Sequence, residues 1–341
     1  MPLTLRTAAR LLSDHGLLRE VIHDDRWMMQ VPDDPADDVP FSAITYDTRT
    51  VGGGSLLVCK GRFRPEYLDG LDRRGLAAYV ADTDYSAVVD APGLIVDDPR
   101  KALSLLSAEF YGRPQDELTV IGITGTKGKT TTAYLTQAIL NAHSGGRCAL
   151  FSSVDNCLDG HTYEESDLTT PESLDAFRMM RQAADNGMRY LVMEVSSQAY
   201  KVHRVHGLTF DIGAFLNISP DHISPIEHPT FEDYLHCKRQ LITNSKTLVV
   251  NAEDTDTEPY EDICNDMMRH VTDPDVDARI VVDRVTALTE AIRDARGNPE
   301  RRDMVLVIGK GHERWIKDRN RHMPYEGDDK VVARLLSEPL E

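Results

Sequence analysis

The sequence predicts an α/β protein built on a mostly parallel sheet with helices on both faces. Three observations predict it. Short apolar runs alternate with helical segments along most of the chain. One run, "ELTVIGIT", passes directly into "GTKGKTTT" and then into a helical pattern, the order of a strand, an anion-cradling loop and a helix N-terminus. Another, "YLVMEVSS", carries Glu194 at its carboxyl end, where open parallel sheets gather their ligands.

The elements fall into three segments. In residues 1–113, "AITYDT", "SLLVCKG", "LAAYVAD" and "GLIVDD" read as strands bounded by Gly, Asp or Pro. The helix "DPRKALSLLSAEFYGRP" starts where Asp98 precedes Pro99 and stops at residues 112–114. Residues 114–256 form the central P-loop-type segment, with strands "ELTVIGIT", "CALFSSV", "YLVMEVSS", "DIGAFLNIS" and "TLVVNAED". Helices lie between them, notably "SLDAFRMMRQAADNG". Leu135, Ala138, Ile139 and Ala142 recur at helical spacing and are expected to form the apolar stripe of the helix after the loop. Residues 257–341 repeat the alternation in a reduced form: helices "YEDICNDMMRHV", "VTALTEAIRDAR" and "DDKVVARLLSE", strands "ARIVVDR" and "DMVLVIGKGH". So small a unit has little core of its own, so its strands are expected to extend the sheet beside "TLVVNAED".

At 341 residues the chain is long enough for two or three cores. Its net charge of -18 excludes binding nucleic acid by backbone neutralisation, although a local donor cluster on an acidic protein still holds a nucleotide. No apolar run approaches the roughly 18–20 residues that span a bilayer, so no membrane partner is expected. The start "MPLTLRTAARLL" lacks the long apolar core of a secretion signal. Five scattered cysteines without Cys-x-x-Cys spacing read as reduced thiols in a cytoplasmic protein, expected to act as a monomer.

Four clusters carry chemistry. In the loop, Gly125 and Gly128 allow a tight turn, and the residues Thr126, Lys127, Thr130 and Thr131 present amides and hydroxyls to an anion. Lys129 reaches terminal phosphates and the Thr130 hydroxyl suits magnesium. Glu194 is placed to hold the same metal, although a strand-end acid taken alone is more often solvated. His222, in "LNISPDHISP", reads as a loop histidine unless other ligands converge on it. In "FEDYLHCKRQLI", Phe231, Tyr234, Leu235, Leu241 and Ile242 define one helical face, and Lys238 falls on it. An ammonium on an apolar face snorkels, pairs, or loses its charge and becomes a nucleophile.

The order "GTKGKTT", "TTPE", "EVSSQ…HR", "NISPDH" and a helix bearing Lys238 resembles the Mur ligases of peptidoglycan synthesis. Their loop is written Thr-Gly-Thr-x-Gly-Lys-Thr, which explains Ile123 where a common P-loop has glycine. "YDTRTVGGGSLLVCKG" and "VLVIGKGHERW" resemble the N-terminal uridine-nucleotide domain and the C-terminal domain of the tripeptide-forming branch. The resemblance implies an ATP- and Mg2+-dependent amide ligase that adds a diaminopimelate- or lysine-type amino acid to UDP-N-acetylmuramoyl-L-alanyl-D-glutamate through an acyl phosphate. It implies that Lys129, Thr130 and Glu194 serve ATP and a first magnesium, and that His222 and a carbamylated Lys238 serve a second. Thr169, Thr170, Ser196 and Arg204 match positions that hold the muramoyl-peptide, Thr48 a uridine-site position, and Gly309 and Glu313 positions that contact the incoming amino acid.

The chain also departs from the family. Full-length relatives carry a further block between "TLVVNAED" and "TEPYEDICNDM", including adenine and ribose contacts. The arginine of their Asp-Asn-Pro-Arg motif aligns with Asp256, which repels a carboxylate instead of clamping it. The alternative to a ligase is therefore a UDP-muramoyl-peptide and ATP-binding protein with a regulatory or partial-reaction role.

Overall fold

The alternation in the sequence becomes two large, mostly parallel sheets, and a two-stranded antiparallel sheet of Trp315–Asp318 and Arg321–Pro324 stands apart from them in the tail. The computed structural model describes residues 2–24, 26–221 and 223–250, and further along 281, 283–297, 305, 307, 315–318 and 321–338. The first sheet has the order β2-β1-β6-β5-β4-β3. Its strands are β1 (Leu18–His23), β2 (Arg26–Met28), β3 (Ala43–Thr45), β4 (Ser55–Val58), β5 (Leu76–Ala81) and β6 (Gly93–Val96). Strands β3 to β6 run parallel, and β1 lies antiparallel to both of its neighbours.

Burial on both faces explains why β4, β5 and β6 read as continuous apolar runs. Leu56, Val58, Ala78, Val80, Leu94 and Val96 pack with α1 (Leu5–Asp14) and α2 (Pro99–Phe110). Leu57, Tyr79, Ala81 and Ile95 pack on the other side with Leu68, Leu71 and Tyr85. The helix start expected at Asp98 is present: its carboxylate accepts from the amides of Arg100 and Lys101, with Pro99 in the first turn. Helix α1, not assigned from sequence, is closed by a box in which Thr4 and Thr7 cap one another.

The second sheet has the order β10-β9-β8-β11-β7-β12-β13. Its parallel part comprises β8 (Cys148–Phe151), β11 (Tyr190–Glu194), β7 (Thr119–Thr124), β12 (Phe210–Phe215) and β13 (Ser245–Val250). Two antiparallel strands that the sequence did not announce, β9 (Asp155–Cys157) and β10 (Tyr163–Glu165), extend it beyond β8. Among the described residues β13 is the last strand at the other edge; the tail strands expected beside it lie outside the described residues.

Helix α3 (Lys129–Ser144) corrects one expectation. Its buried residues are Ala133, Thr136, Gln137 and Leu140, while Leu135 and Ile139 are 59% and 54% exposed. Gln137 and Asn141 face inward because main-chain carbonyls there accept from them. Gln137 Nε2 donates to the Cys148 carbonyl at 3.2 Å, and Asn141 Nδ2 donates to the Gly160 carbonyl at 2.9 Å. Helix α6 (Phe231–Thr243) has its expected face: Tyr234, Lys238, Leu241 and Ile242 are buried, together with Cys237.

The chain divides into two compact units and crosses between them more than once. Residues 1–118, 170–189 and 199–208 form one unit; residues 119–169, 190–198 and 209–341 form the other. Helix α4 (Ser173–Asp185) thus belongs with the first sheet, where it packs on α2. The division expected after residue 256 falls outside the described residues. In the tail, the helices Arg284–Gly297 and Asp328–Ser337 pack through Leu288, Ile292, Val331 and Leu335. Arg284 donates to both carboxylate oxygens of Asp328, each at 2.7 Å.

A glycine pair seats α6. Gly122 of β7 and Gly213 of β12 are direct partners across the ladder. A Cβ at Gly122 would meet the Phe210 ring at 2.6 Å and a methyl of Leu241 at 3.0 Å. Gly122→Ala should therefore overpack a buried site and cost about 1–3 kcal/mol. A urea titration should show a lower midpoint; an unchanged midpoint would contradict this seating of Leu241 against the sheet.

Candidate functional site

The site of the second unit is built where β7 ends. Residues 125–128 carry the chain from Thr124 to the first residue of α3, Lys129. Gly128 has φ +83°, which side-chain-bearing residues rarely adopt, and a Cβ at Gly125 would come within 2.9 Å of Leu216 Cβ. The loop is held by the segment leaving β12. Thr126 N donates to the Asn217 carbonyl at 3.1 Å, and Lys127 N to Asn217 Oδ1 at 2.9 Å. Asn217 Nδ2 donates back to the Lys127 carbonyl at 3.0 Å, and Ser219 N to Thr126 Oγ1 at 3.0 Å. The "NIS" of "NISPDH" thus shapes the loop; its His222 lies outside the described residues. No side chain caps α3, which leaves its N-terminal amides and dipole for an anion. Thr130 and Thr131 sit in that first turn.

Two lysines converge on one carbonyl. Lys129 Nζ donates to the Gly125 carbonyl at 2.9 Å and to that of Thr126 at 3.3 Å. Lys238 Nζ donates to the same Gly125 carbonyl at 2.7 Å. Lys238 is only 2% exposed, and its amine lies 4.9 Å from the centre of the Tyr234 ring. Burial, with Lys129 adding to it, pulls the Lys238 pKa down from 10.5 to about 7, against the opposing pull of Asp221. Burial also lowers Lys129, while Glu194 and Asp221 oppose the shift.

Glu194, the last residue of β11, is fully buried. Its Oε1 accepts from Ser153 N at 2.8 Å and its Oε2 from Ser153 Oγ at 3.0 Å. The Thr169 hydroxyl lies 3.0 Å from Ser153 Oγ, so a substrate-binding residue expected from sequence is joined to a metal-binding one. Ser196 follows two residues after Glu194 and is half-buried.

A second cluster lies in the first unit. Arg204 Nε donates to Glu172 Oε1 at 2.9 Å, and its Nη1 to the Thr170 carbonyl at 3.1 Å. Lys60 donates to the other Glu172 oxygen and sits 4.0 Å above the Tyr46 ring. Burial pushes the Glu172 carboxyl up, but Lys60 and Arg204 outweigh it and hold it below its ordinary value. Burial and the neighbouring Asp175 and Glu172 push Tyr46 up to about 12. Thr48 belongs to the short turn Thr48–Thr50, and its carbonyl accepts from Arg74 Nη1 at 2.9 Å. Gly309 and Glu313 lie outside the described residues.

The expected residues therefore assemble in two groups: the loop with Lys238, Glu194 and Thr169, and Thr170 with Arg204. Sequence reasoning missed Ser153, Asn217, Asp221, Lys60, Glu172 and His228. Glu172 and Asp221 stood inside the quoted motifs "TTPE" and "NISPDH", where an acid beside substrate-binding residues was a usable signal.

Comparison with known proteins follows this geometry. The profile of the Mur ligase middle domain matches residues 123–272. A protein named UDP-N-acetylmuramyl-tripeptide synthetase, from Bifidobacterium longum, is 44% identical over 519 aligned positions, covering 98% of this chain and all of the relative. Those positions outnumber the 341 residues here, so a large block of the relative has no counterpart. A protein named UDP-N-acetylmuramoyl-L-alanyl-D-glutamate–L-lysine ligase, from Enterococcus faecalis, is 48% identical over 74% of this chain and 50% of its own length. The chain spans about half the length of this and several other curated relatives. Among solved structures, one titled a UDP-N-acetylmuramoyl-L-alanyl-D-glutamate–2,6-diaminopimelate ligase superposes with a TM-score of 0.60. It is 20% identical, covers 81% of this chain and 51% of its own, and shows the shared fold.

The lowered Lys238 pKa has a measurable sign. Between about 7 and 10.5 only the unfolded chain is protonated at this residue, so its contribution to stability rises with pH across that window. Below it, the folded state carries a buried ammonium. In CO2-free buffer, Lys238→Met should raise the urea midpoint more at about pH 6.5 than at about pH 10. Equal gains at both values would mark Lys238 as an ordinary solvated lysine.

Proposed function

The chain belongs to the Mur ligase family, and we propose that it joins an amino acid of the diaminopimelate or lysine type to UDP-N-acetylmuramoyl-L-alanyl-D-glutamate with ATP. The observation that carries this reading is the convergence of Lys129 and Lys238 on the Gly125 carbonyl, in the loop electrostatically opposite Glu194. The names of the relatives favour a ligase over a protein that only binds the nucleotide sugar.

In this reading a carboxylate oxygen of the muramoyl-peptide attacks the γ-phosphorus of ATP, and the bond from that phosphorus to ADP breaks. The amine then attacks the acyl carbon, inorganic phosphate leaves, and the amine gives up a proton. The loop amides and Lys129 bind the phosphates and offset the charge that moves onto ADP. The donor set fits magnesium. Glu194 offers a carboxylate oriented by Ser153, Thr130 offers a hydroxyl, and hard oxygen ligands are what this ion takes. When bound, magnesium neutralises phosphate charge. The reading includes carbamylation of Lys238, in which the neutral amine, titrating near 7, adds to the carbon of CO2, gives up a proton, and leaves a carbamate anion beside the Lys129 cation. Thr169, Thr170, Ser196 and Arg204 hold the muramoyl-peptide, with Thr48 at the uridine. His222, Gly309 and Glu313 complete the assignment by family position.

Purified protein should release phosphate from ATP when Mg2+, UDP-muramoyl-dipeptide and a diamino acid are present, with the tripeptide product seen by mass spectrometry. Lys129→Ala and Lys238→Ala should abolish release, and short-chain acids should partly restore the second variant. Nucleotide-sugar binding without phosphate release under any of these conditions would instead favour the binding-protein reading.

Arg204→Ala should weaken UDP-muramoyl-dipeptide binding by about 1.5–3 kcal/mol, the worth of a charge-assisted contact. Calorimetry measures this directly. An affinity equal to wild type would remove Arg204 from the substrate site.

A further inference from the structure

The reaction as derived leaves one fully buried histidine without a part. His228 is 0% exposed and both of its ring nitrogens are engaged. Nδ1 lies 2.6 Å from Asp233 Oδ2, in the first turn of α6. Nε2 lies 2.9 Å from Oγ of Ser197, the first residue of α5 (Ser197–Lys201) and the third after Glu194. An ionised carboxylate only accepts, so Nδ1 donates to Asp233, while Nε2 pairs with the Ser197 hydroxyl. The ring also stands edge-on to Tyr234, centroids 5.2 Å apart. The Tyr234 hydroxyl lies 3.1 Å from Thr126 Oγ1 in the phosphate loop.

We propose that His228 is a positioning residue, tying the segment that follows Glu194 to the start of the helix that carries Lys238. The inference rests on the ligase reading for what Glu194 and Lys238 do. Glu194 ends a strand and Lys238 projects from a helix, and no backbone ladder joins β11 to α6. A buried imidazole supplies that joint with two directional hydrogen bonds. Tyr234 passes it on to the loop that both lysines touch.

Two other uses of these residues fail on geometry. His228, Asp233 and Cys237 offer three ligand atoms within 4.8 Å of one another. A cation between Nδ1 and Oδ2, each about 2 Å from it, needs them roughly 3 Å apart or more, and 2.6 Å is a hydrogen bond. Serine, histidine and aspartate also form the hydrolase triad. Here Ser197 is 5% exposed, so an acyl group has no approach to its hydroxyl.

The test uses His228→Asn, whose amide keeps a donor toward Asp233 but loses the Ser197 link, and Ser197→Ala, which removes only the hydroxyl. Hydrogen exchange on the ligand-free protein should be faster at residues 195–198 in both variants. Calorimetry of ADP at rising Mg2+ should show the half-saturating Mg2+ concentration increased ten- to a hundredfold, the usual effect of removing a residue that orients a ligand. A role confined to stability would lower the melting temperature and leave the Mg2+ dependence alone. That result, or unchanged exchange at 195–198 in Ser197→Ala, would overturn the proposal. Wild-type protein that binds no ADP at any Mg2+ concentration would overturn the ligase reading itself, while the exchange data still decide whether His228 makes the joint.

Discussion

The buried contact between Lys238 and the Gly125 carbonyl is the constraint around which the second unit is arranged. An ammonium taken out of water costs several kcal/mol unless it is paired, and a neutral carbonyl shared with Lys129 does not pair it. The arrangement is tolerable because the amine titrates near 7, so at neutral pH the charge is already partly given up. What remains is an excess of donors over acceptors beside an uncapped helix N-terminus. Such a site favours an anion in the loop and an acid on Lys238, and both changes discharge the same imbalance. Fixing Lys238 there requires α6 to lie close to the sheet, which Gly122 and Gly213 permit by leaving room for Leu241.

The first unit solves a related problem with a different group. Glu172 takes hydrogen bonds from both Lys60 and Arg204, so two cations share one carboxylate. Arg204 is also oriented through the Thr170 carbonyl, which makes the guanidinium a fixed fork instead of a mobile surface charge. Glu172 is the anchor of this pair of cations. It sets where the two cations stand, and removing it would leave them to repel one another in a half-buried setting.

These two clusters explain which parts were legible in the sequence. Local signals read correctly: Asp98 before Pro99, the apolar strands, and the α6 face on which Lys238 stood out as a charge among hydrophobic neighbours. Signals depending on a distant partner did not. Gln137 and Asn141 look like solvent residues, and only the carbonyls of Cys148 and Gly160 make them inward-facing, which turned the apolar stripe of α3 outward. The hairpin β9–β10 is too short and polar to show a period of two. His228 looks like a loop histidine because Ser197 is 31 positions away, and Lys60 looks like a surface lysine because Glu172 is 112 positions away.

The same distinction bears on how the chemistry is distributed along this shortened chain. The groups assigned to phosphoryl transfer, from Gly125 to Thr131 with Glu194 and Lys238, are held by β7, β11, α3 and α6, elements that interlock within one sheet. Among the described residues, the contacts given for them are made within residues 119–250. The groups proposed for the incoming amino acid, Gly309 and Glu313, come later in the chain. The phosphate-loop groups are thus secured by buried hydrogen bonds around one sheet.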